Sequence, residues 1–220
     1  MTLIAENLTI DRGGRRVFQD LSFKLESGIA LVVTGANGIG KSSLLRTLAG
    51  LVALAKGQIR FESGDAENPA HEHAHYFGHQ DAIKPALTAL ENLHFWQCFS
   101  SPASGTGFSG GAITPFQALE TLGIGHTAHL PAAYLSAGQK RRLSLSRLLI
   151  TPRPIWLMDE PTSALDKASE KQLLGLMNDH LAAGGMIVTA THTELALDKI
   201  QVLHLEAAEQ NEKMLDEELI

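Results

Sequence analysis

The length of 220 residues allows one large core or two closely joined subdomains. The net charge of −6 disfavours a general nucleic-acid binder, because the chain has no surplus of basic residues to neutralise backbone phosphates. Cys98 is the single cysteine, which excludes an intrachain disulfide and favours a reducing compartment. Residues 1–11 lack a secretory signal and no stretch reaches the roughly 20 apolar residues of a membrane span, so we expect a soluble or peripheral, cytoplasmic protein.

The first informative segment is a strand, a glycine-rich loop and a helix in succession. Ile29–Thr34 is short, apolar and rich in β-branched residues, which predicts a buried strand. After Lys41 the leucines recur with helical spacing. Between the two elements, Gly35–Ser42 fits the phosphate-loop pattern G-x-x-x-x-G-K-[ST], which in this setting is far more specific than an ordinary glycine-rich turn.

Each part of this loop has a physical role in binding ATP. The glycines let backbone N–H groups approach phosphate oxygens, and the helix start directs its positive dipole end at the anion. Lys41 supplies a charge for the β- and γ-phosphates, and the Ser42 hydroxyl is a ligand for Mg²⁺. The predicted ATP-binding residues of the loop are Gly35, Ala36, Asn37, Gly38, Ile39, Gly40, Lys41, Ser42 and Ser43.

The middle of the chain is helical. Thr88–Glu91 is a capping-box pattern that opens a helix, and helical patterns resume at Pro115. We therefore predict a helical subdomain at about 81–150, inserted in a core built from residues 1–80 and 151–220.

Two segments lack a periodic pattern. The glycine- and serine-rich residues 100–111 are predicted to form a surface loop, and the acidic tail after Glu206 a frayed helix or a disordered segment.

The last third alternates strands and a helix. Apolar runs ending at Asp159 and at His192 predict buried strands over Ile155–Met158 and Met186–Thr191, and a helix follows Asp166. This alternation predicts a parallel α/β sheet with ligands at the carboxyl ends of its strands.

Two carboxylates follow the first of these strands in a Walker B pattern. Asp159 would hold Mg²⁺ directly or through water, and Glu160 would be the general base that deprotonates the attacking water. Two surface acids at a strand end are a common alternative, but the phosphate loop favours the site.

The segment Leu135-Ser-Ala-Gly-Gln139 resembles the signature motif of ATP-binding cassette (ABC) ATPases, usually Leu-Ser-Gly-Gly-Gln, and Lys140-Arg-Arg142 follows it. Ser136 and Gln139 form a capping-box pattern at a helix start. The resemblance implies a RecA-like P-loop NTPase core with an ABC-type helical subdomain and a small N-terminal antiparallel β subdomain. It also implies that Ser136, Ala137, Gly138 and Gln139 close on the nucleotide of a second copy, with a small effect of Ala137 replacing glycine.

Other ABC motifs follow in the family's order. The resemblance assigns Gln80 to the Q-loop, contacting Mg²⁺ and the γ-phosphate, Asp166 to the D-loop at the dimer interface, and His192 to the γ-phosphate. The family's adenine-stacking aromatic is replaced by Arg12. Its guanidinium plane can also stack on a base, with Phe18 as the alternative contact and an exposed loop arginine equally open.

Within the family, the chain resembles ATP-binding subunits of bacterial cytochrome c maturation systems, on Gly78-His-Gln80, Leu87–Phe95 and Leu135–Gln139. This implies a homodimer at the cytoplasmic face of the inner membrane that energises integral membrane permease subunits in haem export or delivery. The open alternatives are a transporter of another small substrate, a soluble ABC protein acting on nucleic acid or a ribosome, and a regulator that does not hydrolyse ATP.

Two further features carry weaker predictions. The alternate histidines of His71–His75 would share one face of a strand, which we expect to be a solvated surface strand rather than a metal or haem site. Leu93, Phe95 and Trp96 either pack in the core or face a membrane subunit.

Overall fold

The computed structural model describes residues 1–62, 69–100, 108, 110–163 and 165–206. Their strands are β1 (Thr2–Arg12), β2 (Arg15–Glu26), β3 (Ala30–Thr34), β4 (Lys56–Glu62), β5 (Ala74–Phe77), β6 (Ile155–Asp159), β7 (Met186–Ala190) and β8 (Ile200–His204). Their α-helices are α1 (Lys41–Leu48), α2 (Ala89–Phe99), α3 (Pro115–Thr121), α4 (Ala137–Ile150) and α5 (Lys167–Ala182).

Five strands form a parallel sheet in the order β5-β6-β7-β3-β8. The predicted strands and helices around the phosphate loop and the two carboxylates are therefore confirmed, each to within about two residues. Because parallel strands end at one edge of a sheet, the segments that follow β3, β5, β6 and β7 are brought to the same edge.

The remaining three strands form an antiparallel sheet in the order β2-β1-β4, which confirms the predicted N-terminal β subdomain. β1 and β2 are joined by a hairpin whose two-residue loop is Gly13–Gly14, and both glycines have positive φ, 58° and 76°. A two-residue loop of this handedness matches the twist of the paired strands, and it suits glycine. The hairpin leaves Arg12 at the end of β1.

Between residues 81 and 150 the described residues form helices and no strand. α2, α3 and α4 each begin with a complete capping box, at Thr88, Thr114 and Ser136 respectively. The caps predicted at Thr88 and Ser136 are confirmed, and so is the helix predicted from Pro115.

Hydrophobic clusters cover both faces of the parallel sheet. Along β6, Trp156 and Met158 join the cluster formed with α2–α5, whereas Ile155 and Leu157 join the cluster formed with α1 and the antiparallel sheet. The alternation follows the period of two of a strand. The sheet is buried on both sides, and its carboxyl edge remains accessible.

Two predicted segments lie wholly or mostly outside the described residues: most of the loop 100–111 and the tail that begins at residue 207. In the part of the chain that the structure describes, no helix is both long and apolar enough to cross a membrane.

Candidate active site

A cavity of about 320 Å³ lies at the carboxyl edge of the parallel sheet. Every residue that lines it is one that the sequence predicts for the site. The lining residues are Arg12, Asn37, Gly38, Gly40, Lys41, Ser42, Ser43, Asp159, Glu160 and His192. The phosphate loop, the end of β6 and the segment after β7 therefore meet in one place, although they are far apart in the chain.

The phosphate loop is pressed against the core, and two of its positions need glycine. Gly40 has φ +118°, and a Cβ there would collide with Val17 and contact the Phe18 ring. Gly35 has φ +136°, and a Cβ there would lie 2.7 Å from the Leu205 carbonyl oxygen. Phe18 itself is only 3% exposed behind the loop, so it is not available to stack on a base.

Lys41 begins α1 and folds back across the loop. Its Nζ donates hydrogen bonds to the Gly35 carbonyl at 2.8 Å and to the Ala36 carbonyl at 3.1 Å. The residue is buried, and within the described residues it forms no ion pair. Its charge is therefore held over the cavity by neutral carbonyls, without an acidic partner that would compete with an anion. Ile39, by contrast, packs against the core beside the loop.

Ser42 and Asp159 meet on one side of the cavity. The Ser42 Oγ donates to Asp159 Oδ1 at 3.1 Å, and the aspartate is 5% exposed at the end of β6. A hydroxyl and a carboxylate are both hard oxygen donors of the kind that Mg²⁺ prefers. The two side chains therefore fit a magnesium ion at this position.

Glu160 follows with an unusual backbone conformation. Its φ is +47°, in the left-handed region that costs a non-glycine residue of order 1–3 kcal/mol. Its N–H donates to the Ala190 carbonyl at 2.9 Å. On the side chain, Oε2 accepts a hydrogen bond from Thr191 Oγ1 at 3.4 Å, and Oε1 lies 3.7 Å from His192 Nε2. The end of β7 thus holds this carboxylate at the cavity.

The sequence predictions missed two residues that contact Glu160. Thr191 is the last residue of the predicted apolar run, and nothing in that run distinguishes it from a structural threonine. Arg141 donates to the Glu160 carbonyl at 2.8 Å, from a helix 19 positions earlier in the chain. Its only sequence signal is its place directly behind the signature-like segment.

Gln80 does not line this cavity. It is exposed after β5 and lines a second cavity of about 670 Å³, together with Trp96, Phe99 and Arg147 among others. The structure therefore places the predicted Q-loop glutamine in the wall of this larger cavity, and not beside Ser42 and Asp159.

The signature-like residues also lie away from the cavity, at the start of α4. The Gln139 N–H donates to Ser136 Oγ at 3.2 Å, and the Ser136 N–H donates to Gln139 Oε1 at 2.9 Å. Ala137 and Gly138 form the first turn of the helix, where Ala137 is exposed. Asp166 is exposed as well and caps α5. Its carboxylate accepts from the Ser169 N–H at 2.8 Å, which lowers the pKa of Asp166.

The strand predicted over His71–His75 is wrong, although His71 is exposed as predicted. Residues Ala70–His73 form a short 3₁₀ turn after Pro69, and only His75 lies in β5. His73 is fully buried and packs on the Phe61 ring, with centroids 4.8 Å apart. His75 Nε2 lies 2.6 Å from the Thr151 carbonyl oxygen, and burial lowers its pKa to about 3.

These histidines therefore share neither a strand face nor a solvated surface. The described ranges contain no group of His, Cys, Asp or Glu side chains that could hold a metal ion.

The profile of the ABC transporter family matches residues 18–163, which span the phosphate loop, the signature-like segment and Glu160. The chain belongs to the ABC transporter ATPase family. It is thus an ATPase that binds ATP, and the family and fold class predicted from the sequence are confirmed.

Curated relatives cover nearly the whole chain. A protein of Nitrobacter winogradskyi named cytochrome c biogenesis ATP-binding export protein CcmA is 53% identical over 90% of this chain and 94% of its own length. A protein of the same name from Bradyrhizobium diazoefficiens is 51% identical over 90% of this chain and 95% of its own.

Solved structures share the fold. The ATP-binding subunit of an ABC transporter superimposes with a TM-score of 0.75, at 22% identity over 94% of this chain and 89% of its own. A dimeric ATP-binding cassette in a post-hydrolysis state, bound to ADP and Pi, also reaches 0.75, at 22% identity over 93% and 96%.

Proposed function

We propose that this ATPase is the energising subunit of an exporter in cytochrome c biogenesis, and that the exporter moves or delivers haem. The main support for ATP hydrolysis is that one cavity is lined by Lys41, Asp159, Glu160 and His192 together. The names of relatives more than 50% identical over nine-tenths of the chain support the role in cytochrome c biogenesis.

The phosphates of ATP would lie along the loop. Asn37, Gly38 and Gly40 line the cavity with Lys41 at the start of α1. Their backbone N–H groups and the Lys41 ammonium would bind the phosphates, and charge-assisted hydrogen bonds of this kind contribute about 1.5–3 kcal/mol each. Arg12 stands on the cavity wall at the end of β1, exposed, which suits a guanidinium that stacks on the base.

Ser42 and Asp159 would hold Mg²⁺. When bound, the ion neutralises charge on the phosphates and orients them. Gln80 is the third proposed ligand, and its place outside the cavity means that the segment after β5 must approach the phosphates for it to take part.

Glu160 would act as the general base. Its carboxylate accepts a proton from the attacking water, a function that typically contributes about 10²–10⁴-fold to rate. Thr191 donates to one carboxylate oxygen and His192 Nε2 lies 3.7 Å from the other, and the exposed His192 would reach the γ-phosphate as well. The carboxylate is therefore held by the Thr191 hydroxyl on one side and faces His192 on the other.

A second copy of the chain would complete the site. The residues Ser136, Ala137, Gly138 and Gln139 lie at an accessible helix start that can receive an anion, yet none of them lines their own chain's cavity. In a homodimer, each subunit presents this helix start to its partner's nucleotide, with Asp166 at the same interface.

Membrane permease subunits would dock beside Gln80, and the protein would then lie peripherally at the cytoplasmic face of the bacterial inner membrane. Phe95, Trp96 and Phe99 of α2 form an aromatic cluster with ring centroids 5.6–6.0 Å apart, and Phe99 is 72% exposed. Leu93 is fully buried and belongs to the core. An apolar surface beside a large cavity suits a protein partner.

This docking would give the core and the helical subdomain different functions. The core of residues 1–80 and 151–220 would bind and hydrolyse ATP, and the helical subdomain at about 81–150 would pass the movement to the membrane partner.

A test of the function uses Glu160→Gln, which keeps the shape of the side chain and removes the base. A strain without the gene receives either the wild-type or the variant gene, and covalently bound haem is measured in its c-type cytochromes. We expect haem attachment with the wild-type gene only. The purified variant should lose turnover by at least about 10²-fold and accumulate as an ATP-bound dimer.

Two outcomes would reject different parts of the proposal. Normal c-type cytochromes in the strain without the gene would reject the role in cytochrome c biogenesis and leave the ATPase untouched. Unchanged turnover by the purified variant would reject Glu160 as the base.

A further inference from the structure

Arg141 is a buried arginine that none of the predicted roles uses. It lies in the second turn of α4, two residues after Gln139, and is 4% exposed. Its guanidinium lies over the Phe77 ring, 3.9 Å from the centroid. Burying a cation this deeply is unfavourable unless hydrogen bonds replace its water, so the partners of Arg141 indicate its purpose.

Those partners come from the ends of two neighbouring strands. At the end of β5, Nη1 donates to the Gly78 carbonyl at 3.0 Å and to Asp81 Oδ1 at 3.2 Å. At the end of β6, Nη2 donates to the Glu160 carbonyl at 2.8 Å and to the Asp159 carbonyl at 3.5 Å.

Three of the four acceptors are backbone carbonyls and the fourth is the Asp81 carboxylate, so the side chain fixes the path of the chain as well as pairing with one acid. An arginine suits this task because its planar fork presents donors in fixed directions.

The backbone at Glu160, whose carbonyl Arg141 binds, has an unfavourable conformation that needs support from its surroundings. Glu160 has the left-handed φ of +47°, and the Ala190 carbonyl accepts its N–H on the other side. An unfavourable backbone conformation persists only where the surroundings determine it from several directions. Relaxation of φ at Glu160 would rotate its carboxylate away from Thr191 and His192.

We propose that Arg141 is a positioning residue for hydrolysis, which holds Glu160 in its productive conformation and links it to α4. This rests on the proposed role of Glu160 as the base. The same side chain ties the segment around Gln80, through Gly78 and Asp81, to the helix whose start faces the partner's nucleotide. Closure of α4 on one nucleotide therefore acts on the base that serves the other.

The primary test replaces Arg141 with glutamine or lysine in the full chain. A small displacement of a reacting group costs up to about 10²-fold in rate, so we expect Arg141→Gln to lower kcat by roughly 10–100-fold with KM and nucleotide affinity changed less than about twofold. The kcat of Arg141→Lys should lie between those of the wild type and Arg141→Gln, because an ammonium keeps the positive charge but lacks the planar fork of donors.

The neighbouring arginine supplies a matched control. Among the described residues, Arg142 donates from Nη1 to the Leu122 carbonyl at 3.4 Å and forms no hydrogen bond with the ends of β5 or β6. Arg142→Gln should therefore keep wild-type kcat. Asp81→Asn is a milder second variant, since Asp81 is partly exposed and loses only its charge. It should lower kcat in the same direction by a smaller factor, with an unchanged melting temperature.

A double-mutant cycle separates positioning from general stability. Single-turnover phosphate release is measured with Arg141→Gln in the wild-type and in the Glu160→Gln background. If Arg141 acts through Glu160, the second background shows no further loss beyond about twofold. An equal loss in both backgrounds, or a higher KM at unchanged kcat, overturns the proposal. Wild-type turnover by Glu160→Gln alone instead rejects Glu160 as the base, without any change at Arg141.

Discussion

At the scale of single residues, the site relies on neutral dipoles to hold its charges. Lys41 is bonded to two carbonyls, and the Glu160 carboxylate is bonded to the Thr191 hydroxyl. A cation satisfied only by carbonyl dipoles can still gain a charge-assisted bond to phosphate, whereas one paired with a carboxylate would first have to lose it. The cavity is thus arranged to receive an anion.

Another residue, His180, makes the fold sensitive to acid. It is 7% exposed and stacks on Trp156, with centroids 4.0 Å apart, and Nε2 lies 3.2 Å from the Pro154 carbonyl oxygen. Burial lowers the pKa of His180 to about 4. The unfolded chain, with the ordinary value near 6.5, therefore binds this proton more readily, and the native state is destabilised as pH falls from about 6.5 toward 4.

We expect this histidine to account for about 2 kcal/mol of the stability lost between pH 7.5 and pH 5. Urea unfolding of the wild type and of His180→Gln at the two pH values measures the difference. The variant should lose less stability on acidification, because its side chain does not titrate. His94→Gln, at an exposed position of α2, should behave as the wild type. Equal losses in all three proteins would contradict the prediction.

At the scale of elements, the chain uses one device at three helix starts. The caps of α3 and α4 are chemically alike, since a hydroxyl is paired with a glutamine three residues later in both: Thr114 with Gln117, and Ser136 with Gln139. The stability that such a cap gives should therefore be similar in the two helices, and any difference in function reflects what each helix start faces.

Alanine at each cap separates these contributions. Ser136→Ala and Thr114→Ala should each lower the free energy of unfolding by about 1 kcal/mol. Only Ser136→Ala should also lower ATP turnover, because the start of α4 is proposed to bind the partner's nucleotide. Chemical denaturation and steady-state phosphate release measure the two effects. Equal turnover in the two variants would argue against a role for Ser136 in the composite site.

The elements that the sequence predicts well are those decided locally. Apolar strands, the capping boxes and the phosphate loop depend on residues within a few positions of one another, so the pattern and the structure agree. The turn at Ala70–His73 buries His73 against Phe61 of β4, a contact between different elements that the strand pattern could not reveal.

The supporting contacts of the site are non-local as well. Arg141 binds acceptors 63 positions before it and 19 positions after it in the chain. Glu160 has a left-handed backbone conformation that a glutamate in the sequence does not predict. The sequence therefore predicts which residues line the cavity, while the groups that hold them in place emerge only from the packing.

At the scale of the whole molecule, two exposed phenylalanines of α2 lie close together beside the larger cavity. Phe99 is 72% exposed there and Phe95 38%, and both rings stack on one another with centroids 6.0 Å apart. Leaving two aromatic rings in water is unfavourable unless a partner covers them, so this region of α2 is where a membrane subunit would gain most from contact.

Replacement of Phe99 tests that contact. We expect Phe99→Ser to reduce recovery of the protein with the membrane fraction by about tenfold and to lower covalent haem attachment, since a central interface aromatic often contributes 1–2 kcal/mol or more. Phe116→Ser is the control, because Phe116 is 43% exposed on α3 and does not line the cavity. Similar effects of the two substitutions, or none at Phe99, would contradict docking at this region.

The absence of Ser136–Gln139 from the lining of their own chain's cavity has a consequence for inheritance. Two alleles, one defective at Lys41 and the other at Ser136, would each yield homodimers with no intact site. Mixed dimers would carry one doubly defective site and one assembled wholly from wild-type parts, so the two lesions would partly complement within a single gene. A lesion at Lys41 alone would conversely lower the output of the wild-type subunits it pairs with, which makes it partly dominant.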